Sequence, residues 1–257
     1  MRLQLNHSDL RSSKGMSLVE LLVAMFIGAV LITGLVQIAA GARSTFRLQE
    51  NLAELQESGR FALDSLGSIL RQSTYHPQPW LDTTEPAGLA PETADATTAH
   101  GDRLAIRTWS DRNCFGSLNP VEDGAGLPQF FLKESVLELN AFENLVHTCR
   151  YGQNSTGFVT QINRQGLVQN VEAFQAQFAE DTDGNGDADR WVSGGGWADD
   201  RRVMGLRLAL LLKSSEPVDE PAPGSVRVLE DLVLTPADGK LRRVFTYSQA
   251  LLGHKEW

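Results

Sequence analysis

Three hydrophobic periods succeed one another along this chain. From Leu21 to Ala40 the sequence is apolar on every side, with Gln37 its only strongly polar member. At about 1.5 Å of rise per residue, a helix of that length spans roughly the 30 Å of a bilayer's hydrocarbon. From Arg43 the period changes to steps of three and four, with Phe46, Leu48, Leu52, Leu55, Ala62, Leu63, Leu66, Ile69 and Leu70 on one face. Gln49, Glu50, Glu54, Glu57, Arg60, Asp64 and Arg71 take the other face, the pattern of an amphipathic helix. The two stretches predict one helix from about Met16 to about Ser73, stopped at Tyr75-His76-Pro77, because proline disfavours a helical residue before it. Gly28, Gly34, Gly41, Gly59 and Gly67 are its weak points, each costing about 1 kcal/mol against alanine.

Beyond the helix the period shortens to two. Residues 77–102 are rich in Pro, Thr, Ala and acids with no apolar period, and predict a surface loop. Arg103–Trp109, Gln129–Leu139, Leu145–Tyr151 and Gly157–Ile162 predict short strands, and Phe174, Ala176 and Phe178 a further one. Val203–Leu212 is the clearest: Leu206, Leu208, Leu210 and Leu212 share one face, Gly205, Arg207, Ala209 and Leu211 the other. Val226, Val228, Leu232 and Leu234 predict an edge strand, and Leu241–Ala250 a last one. Strands in succession without intervening helices imply an α+β fold, a mostly antiparallel sheet with one face against the long helix.

One residue breaks the apolar helix. Glu20 sits at its head, where an ionised side chain near mid-membrane costs about 2.5 to 3.5 kcal/mol, so it is a functional candidate. The run Gly15-Met16-Ser17-Leu18-Val19-Glu20 resembles the processing site of type IV prepilins and type II secretion pseudopilins. That resemblance implies cleavage between Gly15 and Met16 by a prepilin peptidase, methylation of the new N-terminus, and a pilin-like fold. It also implies that Glu20 pairs with the α-amino group of a neighbouring subunit, since a desolvated opposite-charge pair is strongly favoured over either ion alone. The first mature residue is Met where the family usually has Phe. The expected parts are a leader, 1–15; a membrane and filament-core helix, 16–41; its amphipathic continuation, 42–75; and a β-rich globular domain, 76–257.

Gln56–Gln72 and the stretch from Val171–Trp191 onward resemble minor pilins of the PilW type. The resemblance implies a subunit that primes, and caps, a type IV pilus together with other minor pilins, the major pilin and a PilY-type tip adhesin. A type II secretion pseudopilin of the GspJ kind shares the leader and long helix and is the alternative. A periplasmic binding domain on a simple anchor is a third reading, and requires Glu20 to be dispensable.

Charge fits an envelope location. Arg2, Arg11 and Lys14 precede the apolar run, which by the positive-inside tendency keeps the N-terminus cytoplasmic and the rest periplasmic, with a place at the pilus tip as the further expectation. The formal net charge is already −9, and losing the leader removes three basic residues and only one acid, Asp9. Nucleic-acid binding as a main role is disfavoured, because it needs clustered Lys and Arg. The pairs Arg201-Arg202 and Arg242-Arg243 are expected as solvated strand ends.

Two cysteines, Cys114 and Cys149, lack CxxC spacing. In an oxidising compartment a disulfide is the default, and two free buried thiols are the alternative, because spacing does not fix geometry. The five histidines, His7, His76, His100, His147 and His254, sit in no nucleophile-base motif, and Gly194–Gly196 lacks the Lys and Ser/Thr of a phosphate loop. No enzyme is expected. Trp191 and Trp197, flanking those glycines, are expected to cap the core.

The strongest chemical motif beyond the leader is DTDGNGDAD. Asp181, Asp183, Asn185, Asp187 and Asp189 fall at positions 1, 3, 5, 7 and 9 with Gly186 at 6, the order of a calcium loop. It departs from an EF-hand at position 12, which is Val192, and in the strand-like residues before it. Calcium is the expected ligand, completed by water, Glu180, or Asp199 and Asp200.

Overall fold

The computed structural model describes residues 15–73, 75, 87–98, 100–121, 126–218, 224–229 and 232–251. The basic part of the leader and His7, His76 and His254 lie outside them. The chain divides into two compact units, one ending at Arg47 and one running from Leu48 to Trp257. In the first unit helix α1, Leu18–Leu70, begins, and its side chains from Leu18 to Ile38 stand exposed, Phe26 at 72%. Among the described residues it is the one helix long and apolar enough to cross a membrane.

The second unit holds the rest of α1 and, among the described residues, twelve strands: β1 Gly88–Leu89, β2 Ala94–Thr98, β3 Gly101–Ser110, β4 Phe131–Leu139, β5 Leu145–Gly152 and β6 Val159–Val168. Then come β7 Val171–Glu180, β8 Arg190–Ser193, β9 Val203–Pro217, β10 Val226–Val228, β11 Leu232–Leu234 and β12 Lys240–Ala250. The main sheet runs β12-β9-β7-β3-β4-β5-β6, with β1 and β2 added to β3 and β8 to β7. All pairings are antiparallel except β3 with β7, which touch in parallel at Gly101 and Phe174.

The helix covers one face. Its buried residues are Asn51, Leu55, Gly59, Ala62, Leu66, Gly67 and Leu70, of which Leu55, Ala62, Leu66 and Leu70 join Leu206, Leu208, Leu210 and Leu212 of β9 and Phe174 and Phe178 of β7 in the main core. Two of the expected weak points are therefore contact points. A Cβ on Gly59 would lie 2.2 Å from the Phe245 ring, and one on Gly67 would lie 3.1 Å from the Tyr247 hydroxyl. Phe46 and Leu52 of the expected apolar stripe stay exposed instead.

The other face is covered twice. Over β7, β9 and β12, Val226, Val228, Leu229, Leu232 and Leu234 pack on Ala173, Ala209, Leu211 and Val244. This corrects the expected edge strand, because among the described residues β10 and β11 pair only with each other and lie across the sheet. Over β3 to β6 the cover is ionic. Arg107 and Arg150 pair with Glu134, Arg103 and Arg150 with Glu92, and Arg103 and Arg164 with Glu138. Glu134 is wholly buried, which is tolerable only because two guanidinium groups satisfy it.

The described part of the expected 77–102 loop is also structured. Leu89 and Ala90 are buried, and Thr93 donates to Ala105 O at 2.8 Å while accepting from Ala105 N at 3.1 Å. Two short strands seat there on β3, and neither is long enough to carry a period.

Candidate functional site

At the N-terminus, Gly15 and Met16 lie ahead of α1 and are exposed. The Ser17 hydroxyl accepts from the Glu20 N–H at 3.2 Å, and the Ser17 carbonyl from the Leu21 N–H at 3.2 Å, so Ser17 is the N-cap. Glu20 is then the third helical residue, where a carboxylate is favoured by the unsatisfied N–H groups of the first turn. Sequence reading passed over Ser17, although Ser-x-x-Glu ahead of an apolar run is the capping-box signature. The site is thus a helix start that presents one carboxylate on an otherwise apolar, solvent-facing rod.

The acidic loop joins β7 to β8. Asp181 is buried, and its carboxylate accepts from Gly184 N at 2.7 Å and Gly186 N at 2.8 Å. Gly184 and Gly186 have φ of 80° and 91°, which a side chain would resist. The Gly186 N–H, with help from Gly184, holds the Asp181 carboxyl below its usual range. Asp189 is held low by the Thr182 hydroxyl and N–H, at 2.6 and 2.7 Å.

Carboxylate oxygens of Asp181, Asp183 and Asp189 lie within 4.8 Å of one another. Asp187 falls outside that group, and Asn185 uses its side-chain oxygen on Asp187 N at 2.7 Å and its Nδ2 on Asp183 at 3.1 Å. Glu180, expected as a supplementary ligand, is committed elsewhere: it accepts from Ala198 N at 2.6 Å and pairs with Arg190 at 2.7 Å. Burial raises its pKa, but those two partners carry it below the usual value. Asp199 caps a short 3-10 turn by accepting from Arg201 N.

Cys114 and Cys149 are joined, S–S 2.08 Å. The bond fastens the segment after β3 to β5, and Gln161 of β6 accepts from Cys114 N at 2.9 Å. It lines a cavity of about 140 Å³ of mixed character, with Gln72, Thr108, Lys133, Ser135 and His147 beside Ile69 and Ile106. His147 Nε2 is buried with no hydrogen-bond partner. Burial, then the nearby Lys133, push its pKa down.

Two other expectations change. Arg242 is not a solvated strand end: its side chain is 1% exposed and pairs with Glu172 and Asp238. Of the tryptophans, Trp197 packs edge-on to Phe178 at 5.0 Å, whereas Trp191 lies exposed beneath Arg207 at 4.4 Å.

Residues 10–36 match the family model of the prokaryotic N-terminal methylation motif, which together with the long apolar helix fits a protein anchored in a membrane by that helix. Residues 146–251 match the model of type IV pilus-assembly protein W, PilW. The chain is thus similar to type IV pilin-like proteins at its N-terminal helix and to the pilus-assembly protein W model in the later part of its sheet domain. A solved type IV-like pilin from Thermus thermophilus is similar over 78% of this chain and 98% of its own, at 17% identity and a TM-score of 0.49. No curated protein sequence matches the chain.

Proposed function

We propose that this protein is a minor pilin that helps prime assembly of a type IV pilus and caps it, within a complex of minor pilins. The observation that supports this most is the exposed apolar helix with Glu20 as its single early acid, behind Gly15-Met16 and ahead of a PilW domain. In this reading prepilin peptidase cuts after Gly15 and Met16 is methylated. Glu20 then pairs with the free α-amino group of a neighbour as helices stack, because in an apolar filament core each charge satisfies the other. The N-terminus starts in the cytoplasm, the sheet domain faces the periplasm, and the partners are other minor pilins, the major pilin and a PilY-type adhesin. The Asp181–Asp189 loop takes one calcium ion, with Asp181, Asp183 and Asp189 supplying carboxylates.

The test is an intact mass of the membrane-extracted protein, followed by deletion with parallel assays of twitching motility and exoprotein secretion. The expected mass begins at Met16 and is extended by one methyl group, and the expected deletion loses twitching alone. A mass that retains residues 1–15 overturns the reading, and loss of secretion alone transfers the chain to the pseudopilin machinery.

A further inference from the structure

The path through the main sheet ends at β6 and at β12, and the two ends are built differently. β6 is blunted in the manner of protected edges. Its register against β5 slips three times, Arg164 takes a φ of 47°, and Gly166 follows. β12 carries no such device from Arg242 to Ala250. Each of those residues pairs in unbroken register with β9, from Lys213 back to Gly205. Val244 to Ala250, VFTYSQA, has no charge, no proline and no glycine, and is rich in strand-favouring side chains.

One face of β12 is covered by the helix, and the other is covered at its start. Phe245 and Tyr247 pack under α1, and Val244 under the β10–β11 ribbon. Its outer edge pairs with nothing among the described residues, and beside that edge Thr246, Ser248 and Ala250 stand exposed on the face that Val244 begins. A long edge in regular register, uncharged from Val244 and with outward N–H and C=O groups that meet no strand among the described residues, is the kind of surface to which an added strand binds. Arg243, at the start of this stretch, is exposed, lies 5.7 Å over the Phe245 ring, and has no carboxylate partner among the described residues. We propose that the outer edge of β12 accepts an extended strand from a different protein, one that carries a carboxylate where it passes Arg243.

A second copy of this chain fits less well. Gly59 meets Phe245 and Gly67 approaches Tyr247, so α1 and β12 run in the same sense. Antiparallel pairing of two β12 strands about a two-fold axis would therefore set the two helices head to tail. Chains anchored in one membrane by the same N-terminal helix point the same way. The inference does not depend on the pilus reading.

The experiment uses the full chain in detergent micelles and two synthetic nine-residue peptides of alternating threonine and valine, blocked at both ends. One has glutamate as its penultimate residue and the other lysine. The glutamate peptide is expected to bind roughly fivefold tighter, the worth of about 1 kcal/mol for an exposed ion pair. Amide exchange should slow in 242–250 and not in 159–168. Thr246→Lys with Ser248→Lys should abolish binding at an unchanged melting midpoint, and Arg243→Gln should erase the preference between peptides while keeping the binding. No binding at about 1 mM, protection on β6, or binding that survives the double variant each overturns the proposal. Self-association lost in the double variant also overturns it, and assigns the edge to a second copy.

Discussion

Replacing Gly59 by alanine sets two opposite terms against each other. In an isolated helix the change is favourable by about 1 kcal/mol, because glycine loses more backbone freedom on folding than alanine. Here the added Cβ would stand 2.2 Å from Cε1 and Cζ of Phe245 and 2.5 Å from Cδ1. Against the roughly 3.5 to 4.0 Å that carbon atoms prefer, the ring must retreat by more than 1 Å. It belongs to a strand that pairs residue by residue with β9 and packs against the main core, with Arg243 over its face. Overpacking of that kind costs about 1 to 3 kcal/mol. Gly59→Ala should therefore destabilise the sheet domain by about 1 kcal/mol net, a fall in melting midpoint of roughly 2 to 4 °C for a domain of this size. In a Phe245→Ala background the clash is gone, and Gly59→Ala should raise the midpoint instead. Thermal melts of the four full-length proteins in detergent, read as a double-mutant cycle, isolate the coupling. If Gly59→Ala raises the midpoint equally in both backgrounds, Gly59 is not a notch for Phe245 and the close approach of helix and sheet is wrong.

Glu134→Gln leaves Arg107 and Arg150 facing a neutral group in a buried site, and should cost about 3 to 5 kcal/mol in denaturant melts. Breaking the Cys114–Cys149 bond, which spans a sequence separation of 35, should cost about 3 to 4 kcal/mol, visible as a melt lowered by reductant in the wild type but not in Cys149→Ser. His147 has a folded pKa below its unfolded value, so the unfolded state binds the proton more readily and stability must fall as pH drops through and below about 6.5. His147→Gln should flatten that slope. Adding calcium should raise the melting midpoint of the wild type and leave Asp183→Ala unmoved, and an equal response of the two proteins dismisses the ion.

Much of the fold was legible because period reports burial. The alternation in β9 named both of its faces correctly, and the apolar run and its amphipathic sequel located α1 to within three residues of its end at Leu70. Period does not report neighbours. That β3 lies beside β7 in parallel, or that β10 and β11 leave the sheet and cover its second face, depends on loop closure and on which exposed apolar surface each piece can cover. The acids of β4 carry no period that foretells their partners either: arginines from β3, β5 and β6 close over Glu134 and Glu138. The glycines of α1 were read against isolated-helix propensity. What decides Gly59 and Gly67 is the aromatic side chains of a strand nearly two hundred residues later.

The acidic loop shows the limit most sharply. Four carboxylates in nine residues argue for a cation, because converging them carries repulsion that a divalent ion reverses. That argument counts charges and leaves out the backbone. The two oxygens of Asp181 already hold the N–H groups of Gly184 and Gly186, Asp189 holds Thr182, and the Arg202 guanidinium donates to the Thr182 carbonyl at 2.8 Å. Part of the repulsion is thus met by N–H dipoles before any ion binds, and the loop is preformed. A preformed loop lowers the ordering cost of binding, but it also removes the need for the ion to fold it. Calcium should therefore shift the midpoint by an amount set by occupancy and not by rescue of an unfolded segment, so the shift should grow with the logarithm of calcium concentration above the dissociation constant. A shift that saturates at one equivalent and tracks loss of sheet structure on chelation would mean the opposite: that the N–H groups alone cannot hold the three carboxylates together.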